Sequence, residues 1–412
     1  MQSYCRNEAN IMLTGKTVLL GVSGSIAAYK AACLASLLKK QHADVHVIMT
    51  RNATNFINPV TFETLTGNKC LIDTFDRNFE FSVEHISLAK KADIALVAPA
   101  TANVIAKLAH GIADDMLTTT YLACTCPIII APAMNTRMYE NAITQENMAY
   151  LTAHGFHIMD AASGYLACGD TGRGRFPDEN LILEEILRAI AFPHDLAGRK
   201  VLVTAGPTQE AIDPVRFITN HSSGKMGYAI ARAAMLRGAD VTLVSGQTAL
   251  SPLPFVRMIS VTSAEDLFHA VTAISDAQDI LIAAAAVADY RPDQAASEKI
   301  RKEDGGLQLN FERTPDTLQF LGDHRRDGQV LCGFAMETAD LEVRAAQKLQ
   351  KKNLDLIVAN NIKVEGAGFA GHTNVVTIIT GTHRTSLPVM SKFDVAMKLL
   401  DECCRCAPAS AE

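Results

Sequence analysis

One pattern constrains this chain more than any other. A short apolar run, a turn of small residues and an amphipathic helix follow one another repeatedly, and the series stops and restarts once. Thr17 to Val22 reads as a strand and Ile26 to Lys40 has helical periodicity; Ala43 to Met49 is again a strand. Asp93 to Ala98 is a strand leading to a helix through Ala109; Pro127 to Ala131 is a strand and Leu181 to Ala191 a helix. The series breaks at Phe192-Pro193-His194-Asp195-Leu196-Ala197-Gly198. It resumes with strands at Lys200 to Ala205, Asp240 to Ser245, Asp279 to Val287 and Leu354 to Ala359, and helices at Tyr228 to Arg237 and Leu341 to Lys352. Short apolar strands alternating with helices imply a parallel sheet covered by helices on both faces. The expectation is two α/β domains, residues 1–194 and 195–412.

The length of 412 residues suits two such domains, each able to bury its own core. With 38 Lys and Arg against 44 Asp and Glu, the formal charge is 38 − 44 = −6, which excludes nucleic-acid binding through bulk positive charge. The longest apolar run, Ile280 to Ala288, falls short of the roughly 20 residues a membrane span needs. The first residues, MQSYCRNEANIML, lack the pattern of a signal peptide. A soluble cytoplasmic protein is expected, with its ten cysteines as unpaired thiols. Cys124 and Cys126 read as strand residues pointing the same way. Cys403, Cys404 and Cys406 crowd the C-terminus, although zinc sites usually draw on two spaced pairs.

Ligands on open parallel sheets bind beyond the carboxyl ends of the strands, so the loops there hold the candidates. Gly21-Val22-Ser23-Gly24-Ser25-Ile26 joins the first strand to the first helix. Its N–H groups and hydroxyls suit a phosphate, but a plain capped turn would look the same. It matches neither GxGxxG nor GxxxxGK[ST]. Pro99-Ala100-Thr101-Ala102-Asn103 and Pro132-Ala133-Met134-Asn135-Thr136-Arg137-Met138-Tyr139 follow two further strands. His85 stands just before a helix bearing Lys90 and Lys91. Ser163 to Arg175, with four glycines, two arginines and Cys168, reads as a flexible lid loop.

Gly21–Lys30, His85-Ile86-Ser87-Leu88, Pro132–Tyr139 and the Cys168 loop together resemble the flavin-dependent cysteine decarboxylases, which are homo-oligomeric FMN proteins. Tyr139 stands where many members carry Trp. The resemblance implies a flavodoxin-like, Rossmann-like N-terminal domain that binds FMN. In such enzymes the flavin oxidises the substrate thiol to a thioaldehyde, and the C=S group takes up the electrons left as CO₂ departs. It implies His85 as the base that assists oxidation and Asn135 as the holder of the substrate carboxylate, with Met138 nearby. It implies Cys168 as proton donor to the enethiol and Arg175 as closing over the substrate. Ser23, Gly24 and Ser25 would hold the FMN phosphate, with Thr101 and Asn103 also near the cofactor.

In the second half, Val203-Thr204-Ala205-Gly206-Pro207-Thr208 leads into a loop holding Asp213-Pro214-Val215-Arg216 and Asn220-His221-Ser222-Ser223-Gly224-Lys225-Met226-Gly227. Gly224-Lys225 is no GxxxxGK[ST] loop, because Met226 replaces Ser or Thr and Thr219 the first glycine. Cations recur at Lys299-Ile300-Arg301-Lys302 and at Lys348 and Lys352, four apart on one helix face. In an otherwise acidic chain this suits a triphosphate neutralised jointly with Mg²⁺.

These segments resemble the phosphopantothenate–cysteine ligases, and the order of the halves matches the bacterial bifunctional enzymes of coenzyme A biosynthesis. The resemblance spans roughly residues 15 to 400 and implies a Rossmann-like ligase domain. Such ligases activate the carboxylate of 4′-phosphopantothenate as an acyl-cytidylate with CTP, after which L-cysteine displaces CMP. It implies contacts to CTP from Ala285, Asp289, Lys299, the Pro315-Asp316-Thr317-Leu318 turn, Phe334, Lys348 and Lys352. Asn220 would bind the carboxyl group and the acyl-cytidylate, and Lys299 would stabilise charge in the transfer. Arg301 departs from the usual Lys-x-Lys-Lys tract. The metal ligands are not implied. The family also implies N-terminal trimers, assembling to a dodecamer, and paired C-terminal domains. The rival reading is a non-catalytic FMN-binding regulatory protein; His85, Asn135 and Cys168 together argue against it.

Overall fold

The computed structural model describes residues 11–74, 84–165, 169, 171–301, 307–337, 341–361 and 371–407. It divides into two units, Met1–Phe192 and Pro193–Glu412.

The first unit is built on a parallel sheet of β1 (Thr17–Val22), β2 (Asp44–Met49), β3 (Ile94–Ala100), β4 (Ile128–Pro132) and β5 (His157–Ile158), in the order β2-β1-β3-β4-β5. Every residue of β1, β3 and β4 is buried, because helices cover both faces. Side chains alternate between those faces: Leu19, Ala95, Val97, Ile128 and Ile130 pack with Ile105, Leu117 and Leu151 of the helices Ala102–Ala109, Met116–Leu122 and Ala142–Ala153. A second helical group, Ala28–Lys40, Pro59–Thr66 and Glu179–Ile190, packs together. The strand order reverses between β1 and β3, which opens the crevice typical of flavodoxin-like sheets at that point. An antiparallel hairpin of β6 (Ala162–Tyr165) and β7 (Thr171–Arg175) lies apart from the sheet.

The second unit carries an eight-stranded sheet. Its members are β8 (Lys200–Ala205), β11 (Asp240–Ser245), β12 (Arg257–Ser260), β13 (Ile280–Ala283), β16 (Val330–Glu337), β17 (Leu356–Asn361), β19 (Val376–Thr380) and β20 (Arg384–Ser386). Two-stranded pairs stand beside it: β9 (Gln209–Ala211) with β10 (Phe217–Thr219), β14 (Tyr290–Pro292) with β15 (Phe311–Arg313), and β18 (Thr373–Asn374) with β21 (Met390–Ser391). The order is β12-β11-β8-β13-β16-β17-β19-β20, parallel up to β17 and antiparallel beyond. This is the Rossmann arrangement, with its reversal between β8 and β13. Leu202, Leu281, Leu331 and Ile357 face helices that contribute Leu267, Leu321 and Leu349. The helices Lys225–Leu236 and Lys392–Cys406 pack against each other.

Several local expectations change. The expected strand Asp279–Val287 ends at Ala283. Beyond it the Thr204 hydroxyl accepts from Ala285 N (3.1 Å) and the Thr208 hydroxyl from Ala288 N (3.0 Å), so side chains interrupt the ladder on either side of a single main-chain bridge between Pro207 and Ala286. The helix expected from Tyr228 starts at Lys225, because Gly224 in the left-handed region (φ 73°) turns the chain into it. Within the expected loop Ser163–Arg175, the described ends Ala162–Tyr165 and Thr171–Arg175 pair as antiparallel strands. Cys124 and Cys126 precede β4 rather than lying on it, and Cys124 Sγ donates to Thr120 O (3.4 Å) at the end of the preceding helix. His85 lies within the helix Glu84–Lys91, not before it.

Candidate active sites

In the first unit, the parallel register brings the ends of β1, β3 and β4 to one edge, where two clefts open. One, of about 600 Å³, is lined by Ser23, Gly24, Thr101, Asn103, Met116 and Met138, with Arg51, Asn52 and Lys107. The other, of about 580 Å³, is lined by Ser25, Lys30, Asn135, Tyr165 and Arg175 against an apolar wall including Ile26, Met134 and Phe176. The Pro132–Tyr139 loop thus serves both, with Asn135 in one and Met138 in the other. His85 is among the lining residues of neither cleft. Cys168 lies outside the described residues.

Local hydrogen bonds explain the shape. Ser23 Oγ donates to Pro99 O (2.8 Å) and accepts from Thr101 N (3.0 Å), which ties the β1 turn to the end of β3. Its hydroxyl is therefore engaged within the protein while the residue lines the cleft, and Ser25 Oγ accepts from Ala27 N (3.3 Å). Thr101 caps the helix Ala102–Ala109, and Asn135 caps the turn after it by accepting from Arg137 N (2.9 Å). At Gly24 a Cβ would lie 2.7 Å from Asn52 Cβ, so only glycine fits beside the Thr50–Asn52 turn. A main-chain turn held this close, a serine hydroxyl and an apolar wall with a few polar ends fit a phosphorylated planar ring such as a flavin mononucleotide.

The hairpin seats on the same loop. Met134 N donates to Gly174 O (2.9 Å), and the Cβ of any other residue at 174 would fall 2.5 Å from Met134 O. Lys30 is a member of this site that sequence reading left without a role. It pairs with Glu179 (3.3 Å) and lies over the Phe176 ring at 5.7 Å. Its only signal was its place one helical turn after Ser25–Ala27.

In the second unit a cleft of about 440 Å³ opens at the reversal between β8 and β13. Ala285, Asp289, Pro315, Asp316, Thr317, Leu318, Phe334, Lys348 and Lys352 all line it. Lys348 Nζ donates to Phe334 O (2.9 Å), and Lys352 Nζ meets both oxygens of Asp316 (2.9 and 2.7 Å). Burial opposes ionisation of Asp316, but the bonds from Lys352 and from Gln319 N outweigh it and hold its carboxyl below the ordinary range. Asn220 and Lys299 are not among the lining residues. Asn220 Nδ2 donates to Ala286 O (3.2 Å) and Val287 O (3.0 Å), so it borders the cleft through Val287. Lys299 is exposed, but its segment is pinned on both sides: Ala296 N donates to Ile212 O (2.9 Å) and Ile300 N to Asp213 Oδ2 (3.1 Å).

Asp213 is the residue whose importance the sequence concealed. Its side chain is fully shielded and paired with Arg216, whose Nε donates at 2.9 Å; it also accepts from Val215 N and Arg216 N at 2.8 Å each. The Arg216 guanidinium and these main-chain donors hold its carboxyl far below the usual range. Arg216 Nη2 also donates to Ile300 O (2.9 Å), so one ion pair clamps the Lys299 segment. Among the described residues, no three His, Cys, Asp or Glu side chains are grouped to hold a metal ion, the Cys403–Cys406 region included. None of the described helices is long and apolar enough to cross a membrane.

Sequence comparisons agree with this division. The flavoprotein family matches residues 6–191, and the DNA/pantothenate metabolism flavoprotein C-terminal domain matches residues 196–406. The coenzyme A biosynthesis bifunctional protein CoaBC of Bacillus subtilis is 49% identical over 395 residues, covering 95% of this chain and 97% of that protein. This chain belongs to the CoaBC family. The CoaBC protein of Escherichia coli K12 is 42% identical over 396 residues, with 95% and 97% covered. A crystal structure of the C-terminal domain of a CoaBC protein, 43% identical, covers 50% of this chain and 94% of its own, with a TM-score of 0.43. The CoaBC proteins of these two bacteria thus match 95% of this chain.

Proposed function

We propose that this chain makes 4′-phosphopantetheine in two consecutive steps, a CTP-dependent ligation of 4′-phosphopantothenate with L-cysteine and an FMN-dependent decarboxylation. The observation that carries the reading is the convergence of Ala285, Asp289, the Pro315–Leu318 turn, Phe334, Lys348 and Lys352 on one cleft at the sheet's reversal, in a chain whose other half bears a second ligand-sized crevice. Membership of the CoaBC family supports both halves.

In the ligase step the carboxylate of phosphopantothenate attacks the α-phosphorus of CTP, and pyrophosphate leaves. The amine of cysteine then attacks the acyl carbon, and CMP leaves. Lys348 and Lys352 attract the nucleotide's charge, Lys299 stabilises the charge that develops during transfer, and Asn220 orients the acyl group. Among the described residues, the carboxylates lining the cleft are Asp289 and Asp316; with Asp316 held by Lys352, Asp289 is the group that would share Mg²⁺ with the phosphates. Such a cation, when bound, neutralises the leaving pyrophosphate.

In the decarboxylase step, Ser25, Gly24, Thr101 and Asn103 would hold FMN, with Ser23 bracing the turn. FMN, when bound, supplies the two-electron redox chemistry that makes CO₂ a feasible leaving group. His85 takes the proton released at sulfur, Asn135 and Arg175 hold the substrate, Met138 borders it, and Cys168 returns a proton to the enethiol. Because His85 lies off both clefts, a neighbouring subunit supplies it, in keeping with N-terminal trimers or a dodecamer of them. Exposed Val215, Phe217, Tyr290 and Phe311 on the β9–β10 and β14–β15 pairs support C-terminal dimers. The reactants are cytoplasmic metabolites, and the enzyme is placed with them.

The test is one vessel containing the protein, phosphopantothenate, cysteine, Mg²⁺ and either CTP or ATP, followed by mass spectrometry. The expected result is 4′-phosphopantetheine with CTP, from a yellow protein that releases FMN on denaturation. A flavin-free protein that cannot be reconstituted would overturn the N-terminal half of the reading, and absence of any cysteine adduct would overturn the C-terminal half.

A further inference from the structure

Two thiols that no step above uses stand together just ahead of β4. Cys124 and Cys126 are two residues apart, so no more than about 7 Å of chain separates them, close to the longest span that a disulfide bridges. Both are half-buried, and both side chains pack against the apolar cluster that includes Tyr121 and Ile128, so they turn the same way. Cys124 Sγ lies 3.4 Å from Thr120 O, and the two thiols are also hydrogen-bonded to each other. The chain is tied down on either side of the pair: Cys124 N donates to Tyr121 O (3.2 Å) and Ala95 N to Pro127 O (3.0 Å). Thr125 and Pro127, which flank Cys126, are exposed, so a small reagent can reach it.

The pair is asymmetric. The bond from Cys124 holds the Cys126 thiol below its ordinary range, against the effect of burial. The same bond raises Cys124, and burial raises it further. Among the described cysteines, Cys126 is the one that is lowered; Cys70, Cys332, Cys403, Cys404 and Cys406 are raised, chiefly by burial. A readily ionised thiol beside a protonated one is the arrangement of an attacking and a resolving cysteine.

We infer that Cys124 and Cys126 form a redox modification site, at which a low-molecular-weight disulfide closes a reversible bond between the two sulfurs. The Cys126 thiolate attacks one sulfur of the reagent; a mixed disulfide forms and one thiolate leaves. Cys124 then gives up its proton and attacks Cys126 Sγ; the bond between the two cysteines forms, and the second thiolate of the reagent leaves. The two protein sulfurs are oxidised, and the reagent is reduced to two thiols. Capping Cys126 removes the charge that kept the Cys124 proton in place, so the first exchange prepares the second.

With that proton goes the bond to Thr120 O, in the last turn of the helix Met116–Leu122. The helix begins at Met116, which lines the cleft assigned to the flavin, and carries Tyr121, whose hydroxyl joins β1 to β3. Oxidation therefore loosens one wall of that cleft. The disulfide stands apart from the decarboxylase reading, and this effect on the flavin rests on it.

The experiment treats the full-length protein with glutathione disulfide, alkylates the remaining thiols and reads by mass spectrometry the tryptic peptide Leu108–Arg137, which holds these two cysteines and no other. The wild-type peptide is expected to escape alkylation and to be lighter than the reduced peptide by two hydrogens, and a reducing agent restores it. In Cys124→Ser, Cys126 is expected to accumulate the glutathione adduct, whereas in Cys126→Ser, Cys124 stays open to alkylation. Full alkylation of the wild-type peptide overturns the site without any variant having to fold, and equal adducts in the two single variants overturn the assigned order of attack. Fluorescence of released flavin reads the consequence. Oxidised wild type is expected to hold FMN roughly fivefold more weakly than reduced wild type, the effect of losing one hydrogen bond, and Cys126→Ser to hold it equally under both conditions. Equal retention by oxidised and reduced wild type overturns the link to the cleft. A protein that closes the disulfide yet takes up no flavin overturns the decarboxylase reading and leaves the modification site standing.

Discussion

The hydroxyl of Tyr121 occupies the space that a Cβ on residue 21 would need, 2.8 Å from where that atom would stand. Tyr121 is buried, and its hydroxyl lies 2.7 Å from Leu96 O and 3.1 Å from Leu19 O, bridging β3 and β1 at the point where the strand order reverses. Glycine at 21 and tyrosine at 121 are therefore one device that fixes β1 against β3 where the loops that line the clefts leave the sheet. Gly21→Ala is expected to cost about 1–3 kcal/mol through overpacking. Tyr121→Phe costs a similar ~1–3 kcal/mol by leaving buried carbonyls without their donor. Combining them should cost less than the sum, because loss of the hydroxyl removes the tightest of the contacts, leaving Leu117 Cδ1 at 3.0 Å and the ring carbon at 3.1 Å to give way. Urea denaturation of the three variants reads the energies, and flavin absorbance per chain reads the crevice.

Gly174 governs how the hairpin sits. Its φ of +122° and the 2.5 Å approach to Met134 O leave no room for a side chain. Gly174→Ala is expected to lift β7 off the Asn135 loop and to lower decarboxylation of supplied phosphopantothenoylcysteine on the order of a hundredfold, the usual effect of a displacement of about 1 Å. Pyrophosphate release with CTP stays normal. Equal loss of both activities would contradict a local seating role.

Asp213 predicts a separation in the opposite sense. Asp213→Asn removes the charge that Arg216 and Ile300 N share, so ligation should fall while decarboxylation persists; paired kinetic assays check it. The pH dependence follows from the direction of the shift. A carboxyl lowered in the folded state contributes stability that is complete above the unfolded value of about 3.9 and is lost as the pH falls through the lower folded value. The wild-type clamp should therefore hold through mildly acidic pH and loosen only well below pH 4. Hydrogen exchange at Ile300 across that range reports it; exchange that quickens already at pH 6 would contradict the assignment.

Much of the architecture was legible because it is local. The runs Thr17–Val22 and Lys200–Ala205 become first strands, since their apolar centres, Val18–Leu20 and Val201–Val203, show no polar alternation and fit a sheet buried on both faces. The loops after them carried small and polar residues, and those loops form the clefts. What was hidden depends on partners distant in sequence. Tyr121 meets Leu19 across 102 residues and Asp213 meets Ile300 across 87, and no periodic pattern marks either pair. The bracing of the Ser23 hydroxyl was hidden for the same reason, because its partner Pro99 lies 76 residues away. The end of β13 was misplaced because alanines at 283–286 carry no mark of where Thr204 takes over as acceptor.

The reversal of strand order also governs when each pocket can exist during synthesis. In the first unit β1 is flanked by β2 and β3, and its crevice is closed by β4 and by a hairpin that ends at Arg175. A ribosome must therefore deliver nearly the whole unit before a flavin meets its complete surroundings. In the second unit the wait extends to Lys352 for the nucleotide cleft. Capture of each small molecule thus reports that its half of the polypeptide has finished threading, and a nascent chain halted early exposes apolar sheet edges where a ligand would otherwise settle.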